Sequence, residues 1–169
     1  MLNPRVTALG SIIALDLSFA IYLATFSFPI MAKLVLDIEY EYDFVLIGIS
    51  CHEKDYRLSW ALNKNLNLEL AKTNDLQIDT KKHKEPLTYS MSVFENEQQH
   101  RQYYLISNRC LIAALIPEQK QADFFLMIKG ALMDEDKITI IKRIKETPTV
   151  LTAFEIDPNK LKSKENLLF

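Results

Sequence analysis

The stretch Phe124-Phe125-Leu126-Met127-Ile128-Lys129-Gly130, followed by Asp134–Glu146 and by Val150-Leu151-Thr152-Ala153-Phe154-Glu155-Ile156, decides the fold. Its first part is an unbroken apolar run of strand length, closed by a glycine. Asp134 is expected to N-cap a helix with Ile138, Ile141 and Ile144 on one stripe and Ile140 at its edge. Thr139, Lys142, Arg143 and Glu146 make the wet face, and Pro148 stops the helix. The last part reads as a strand. Strand, helix and strand in this order are the half-unit of ferredoxin-like and ACT-like folds, here over 124–156. The expected class is α+β, a mostly antiparallel sheet with two main helices packed on one face.

Working toward the N-terminus, Tyr89, Met91 and Val93 alternate with Ser90, Ser92 and Phe94, the period of a strand. Tyr103-Tyr104-Leu105-Ile106 supplies its hairpin partner across the polar turn from Glu95 to His100. Asn67–Lys84 is mostly polar and is expected to loop, with a short strand or helical turn at Leu68-Glu69-Leu70. Residues 54–66 take helical spacing, with Leu58, Ala61, Leu62 and Leu66 on one side and Tyr56, Trp60 and Asn63 on another. Phe44–Ser50 is a continuous apolar run, expected to be a strand buried on both faces, and Leu34–Tyr40 is a further strand turning at Glu41-Tyr42-Asp43.

The segment before Met31 differs in kind. Val6–Ile30 is almost wholly apolar, and all but one of the 20 basic and all but one of the 22 acidic residues lie beyond it. Residues 1–30 are therefore an apolar leader with three readings: upstream sequence before a start at Met31, a membrane anchor, or a cleaved signal. An anchor carries the cost of Asp16 near its centre, and a signal lacks an Ala-x-Ala site. Residues 31–169 have the size and the apolar and charged fractions (49% and 25% over the chain) of one globular domain.

Composition excludes several functions. A net charge of −2 argues against nucleic acid, whose binders neutralise phosphate with a basic stripe. The densest basic run, Lys81-Lys82-His83-Lys84, reads as a solvated loop, and Tyr103 and Tyr104 as base-stacking residues are a poorer option. Cys51 and Cys110 fit no disulfide framework or redox pair, which points to reduced thiols and a cytoplasmic protein, membrane-anchored only if residues 1–30 are translated. Beyond the leader only Gly48 and Gly130 remain, too few for a phosphate-cradling loop. No cofactor, no metal set and no catalytic constellation is expected.

Between the two strands 103–106 and 124–129 lies Ile116-Pro117-Glu118-Gln119-Lys120-Gln121-Ala122-Asp123-Phe124. Together with Lys54-Asp55-Tyr56-Arg57-Leu58 and the terminal Leu161–Phe169, it resembles the IPExxxVDY proteins, small chains of Bacteroidetes-type bacteria, over roughly 31–169. The resemblance brings no activity with it. Ala122 stands where that family has Val, and Phe124 where it has Tyr, so a packing role for position 124 is expected. Pro117 and Glu118 suit the start of a short turn running to Gln121.

The candidate site residues are these motif positions, Ile116, Pro117, Glu118, Asp123 and Phe124, of unassigned role, and an interface set of Tyr56, Arg57, Trp60 and Phe169. Glu118 and Asp123 are either an acid/base or metal pair or, as preferred, carboxylates that bond local backbone. Cys51 beside His52 would need His83 or His100 to form a dyad, and His52–Asp55 could hold a hard cation only weakly. Tyr56 and Trp60 either widen a buried stripe or form a partner-binding patch with Arg57. The apolar end Asn166–Phe169 either docks on its own sheet or meets a partner. The expected function is a non-catalytic protein-interaction or regulatory module with a protein partner or self-association. The alternative is a small ligand-binding domain or hydrolase using Glu118 and Asp123, with Arg57 or Arg109.

Overall fold

A computed structural model describes residues 43–80 and 85–169. The leader 1–30, the expected strand Leu34–Tyr40 and the run Lys81–Lys84 with His83 lie outside the described residues. The elements run β1 (Phe44–Ser50), α1 (Asp55–Leu66), β2 (Ala71–Lys72), β3 (Leu76–Ile78), β4 (Leu87–Tyr89), β5 (Met91–Asn96), β6 (Arg101–Ser107), β7 (Phe124–Lys129), α2 (Asp134–Lys145) and β8 (Thr152–Ile156), with 3-10 turns at Pro158–Lys160 and Lys164–Leu167. The main sheet has the order β2-β5-β6-β7-β1-β8, antiparallel throughout, and β3 and β4 form a separate hairpin.

This is the expected α+β sandwich. The strands β7 and β8 bracket β1, so the 124–156 unit is a split strand-helix-strand, and β6-β7-β1-β8 with the two helices follow the ferredoxin-like order. Strand alternation sorts the apolar side chains onto two faces. Ile47, Ile49, Leu105, Leu126 and Ile128 pack on one face with Leu58 and Leu62 of α1 and Ile144 of α2. Leu46, Ile106, Phe125 and Met127 point to the other, which β3–β4, the segment after β6 and the C-terminal turns cover. That double coverage is why β1 and β7 are apolar without a break. Gly48 makes room in the centre of β1: a Cβ there would lie 2.8 Å from the Phe154 ring.

Four local expectations are corrected. The alternating run 89–94 is two strands, because it turns at Ser90: Leu87–Tyr89 pairs with Leu76–Ile78, and Met91–Asn96 with β6. Ser90 donates to Asp55 at the start of α1 and accepts from Lys72 at 2.8 Å, and these bonds anchor the change of direction. The polar stretch after α1 forms its short strands at 71–72 and 76–78, not at 68–70; Asn67 takes a left-handed conformation (φ 56°) and ends the helix, and Leu70 bonds back to Asn63. Asp134 is not the N-cap but the first helical residue; Met133 precedes it, and the acidic trio 134–136 favours the helix start through its charge. Finally, Ile138 is 64% exposed. The buried side of α2 instead runs through Ile140, Ile141 and Ile144, because the Lys137 stem lies toward β8 and bridges Glu155 at 2.9 Å.

Candidate functional site

The segment between β6 and β7 is organised by a residue that sequence reasoning passed over. Asn108 is 1% exposed. Its Nδ2 donates to the carbonyls of Gln119 (3.0 Å) and Ala122 (2.8 Å), and its Oδ1 accepts from the Ile116 amide at 2.9 Å. The backbone of the same residue bonds Asp123 (2.8 Å) and Leu115 (2.7 Å). With every polar group of its side chain used, Asn108 fixes the motif on both sides at once. Two tight turns follow, closed by Gln119 N–H to Ile116 and Ala122 N–H to Gln119, each 3.1 Å. Ile116 and Ala122 are fully buried against the sheet, and Phe124 is buried on the opposite, helix-bearing face.

The two motif carboxylates have no partner in common. Glu118 accepts from the amide and the hydroxyl of Ser163 at 2.8 and 3.2 Å, which fastens the C-terminal segment to the loop. Partial burial alone would raise its pKa, but hydrogen bonds from its own amide and from Ser163 prevail and hold the carboxyl below its ordinary value. Asp123 accepts from the Cys51 amide at 3.0 Å and bridges Arg109 at 2.9 Å, so it ties the end of β1 to the segment after β6. Arg109 thus does meet one of the carboxylates; Arg57 instead bridges Glu53, at 3.0 Å on the surface.

Cys51 is buried, and that burial raises its thiol pKa above the ordinary value, the opposite of an activated nucleophile. His52 is exposed beside it. His100 sits in the β5–β6 turn (φ 51°), at the end of the sheet remote from Cys51, because Ser107 and not Arg101 aligns with Phe124 and Ile49. Six residues of strand separate those ends, about 20 Å. Among the described residues no group of three His, Cys, Asp or Glu side chains could hold a metal ion.

The interface candidates divide. Phe169 docks on its own sheet: its ring meets Tyr104 edge-on at 5.5 Å, and its carbonyl accepts from Lys129 at 3.1 Å. Leu167 beside it is fully buried, and Asn166 donates to the Leu115 carbonyl at 2.8 Å. Tyr56 and Trp60 do the reverse. They lie one turn apart on the outer side of α1, 60% and 68% exposed, with Arg57 between them. The buried side of α1 runs through Leu58, Ser59 and Leu62, so the wide buried stripe is excluded. A second exposed apolar point, Leu111-Ile112, forms the tip of the segment after β6 beside an open cavity of about 430 Å³. No family model matches the chain, and no curated protein matches it.

Proposed function

We propose that this protein is a non-catalytic protein-interaction module that binds a protein partner, or a second copy of itself, through the outer side of α1. The observation that carries the reading is the exposure of Tyr56 and Trp60 around Arg57, the three residue types most enriched at interface hot spots. The arrangement of the motif supports it, since Glu118 and Asp123 hold backbone and tail, and a structural role needs no reaction. The resemblance to the IPExxxVDY proteins belongs to the same proposal, in which the motif defines how the loop after β6 closes on the sheet. Free Cys51 and Cys110 accord with a reducing bacterial cytoplasm. Among the described residues no helix is long and apolar enough to cross a membrane.

The test compares wild type with the double variant Tyr56→Ser/Trp60→Ser, each tagged and expressed from its own locus. Wild type is expected to retain a stoichiometric protein, or to run as a dimer by light scattering, and the variant to lose it with an affinity drop of about thirtyfold or more. Its melting temperature is expected within about 3 °C of wild type, because the replaced side chains are exposed. Bare monomer from both proteins, or equal retention by both, overturns the reading.

A further inference from the structure

Glu53, Arg57, Trp60 and Lys64 follow one another at intervals of four, three and four residues. On a helix this spacing draws one straight stripe, and here it runs along the outer side of α1. The side chains meet along it. Glu53, just ahead of the helix, bridges Arg57 at 3.0 Å, and the Lys64 ammonium lies 5.7 Å from the centre of the Trp60 ring. Arg57, Trp60 and Lys64 are exposed, and Glu53 is partly so. Asp55 stays off the stripe, since it accepts from Ser90 and faces Lys72.

In chain order the stripe reads acidic, basic, aromatic, basic. A second copy packed antiparallel presents the same stripe reversed. With the two-fold axis between Arg57 and Trp60, position 57 faces 60 and position 53 faces 64. All four contacts are then attractive: Glu53 with Lys64 twice, and Arg57 with Trp60 twice. A parallel pair would instead set Arg57 against Arg57 and Lys64 against Lys64, and like charges repel. A guanidinium lies flat on an indole, and Trp60, 68% exposed, keeps ring surface for it beside Lys64. The Glu53 carboxylate can hold Arg57 of its own chain through one oxygen and Lys64 of the second copy through the other. The pairing thus adds to the bridge already formed.

We infer that the occupant of this surface is a second copy of the chain, its α1 antiparallel to the first and in this register. The inference rests on the reading of the outer side of α1 as an interface and gives that interface one partner. One helix pair buries less than a standard interface, so the complex is a weak dimer, with Kd of about 10–200 µM. Two of its contacts are exposed ion pairs, so added salt weakens it.

The experiment is sedimentation equilibrium of the full chain, with the emission of Trp60, its sole tryptophan, followed over the same concentrations. Wild type is expected to show a monomer–dimer equilibrium that weakens about threefold or more in about 0.5 M salt. The emission is expected to change with the same midpoint. Lys64→Glu and Glu53→Lys each place like charges opposite one another at both ends of the pair, and each alone is expected to lose about tenfold or more in affinity. Mixed in equal amounts, the two variants meet opposite charges at both ends and are expected to return to within about threefold of wild type. Both substitutions lie at the surface, and melting temperatures within about 3 °C of wild type check that the fold is kept. A wild type still monomeric at about 500 µM overturns the inference. If that monomer captures a protein that Tyr56→Ser/Trp60→Ser loses, the surface serves another partner and the function proposed above survives. A dimer that the single variants leave intact, or variants that fail to recover on mixing, overturns the inference equally.

Discussion

Asn108 shows how one side chain sets the geometry of a loop. Three of its hydrogen bonds reach carbonyls and an amide spread over 116–122, and those to Ala122 and Ile116 are buried. Replacing it by alanine takes that partner from the Ala122 carbonyl and the Ile116 amide, while the Gln119 carbonyl keeps the Ala122 amide. Asn108→Ala is expected to lower stability by about 3 kcal/mol, read from urea unfolding. A change below about 0.5 kcal/mol would mean that the loop is held by its apolar contacts instead. Sequence reading fell short here for a physical reason. An isolated asparagine at the end of a strand looks like any surface turn residue, and only the return of the chain at Ile116 and Ala122 reveals its burial. The turn at Pro117 was readable because its effect is local; the local-backbone role expected of Glu118 and Asp123 was not what formed, since Glu118 holds Ser163 and Asp123 holds Cys51 and Arg109.

At the level of elements, β1, β7 and β8 were legible from their apolar runs, and α1 and α2 from their spacing. The boundary inside 89–94 was not, because residues on both sides of Ser90 keep the same alternation while pairing with different strands. The face of α2 was misread by one position, since a lysine stem at Lys137 covers ground that the pattern assigned to Ile138. The end of β7 is a firmer case. Gly130 has φ 105°, and a Cβ there would stand 2.5 Å from the His100 carbonyl oxygen. Gly130→Ala is expected to cost about 2 kcal/mol or more in equilibrium unfolding, through both backbone strain and this clash. A neutral result would show that the β5–β6 turn can yield without cost.

The described residues together form a sheet with helices on one face and, on the other, cover assembled from a hairpin, a motif loop and a tail. Glu118 and Ser163 join the last two. Because the folded Glu118 carboxyl titrates below its ordinary 4.5, its contribution is present above that value and fades as pH falls through the folded pKa. The group is exposed, so the contribution is expected to be under about 1 kcal/mol. Glu118→Gln should therefore melt slightly below wild type at about pH 7, and the gap should close as pH falls through the folded pKa. A gap that persists in acid would assign the effect to packing rather than to the charge. The first helix-bearing face was legible from periodicity; the second was not, since its cover comes from stretches without periodic pattern.

The central position of β1 has a consequence for how the chain is made. A ribosome delivers Phe44–Ser50 before any other described strand, yet both neighbours of that strand, β7 and β8, emerge after more than seventy further residues. Until then its edges lack both of their partners among the described strands, and pairing over such separations closes slowly. The nascent protein thus carries an apolar strand without its two sheet neighbours through much of its synthesis, the state in which strand edges are open to aggregation until the last strand arrives.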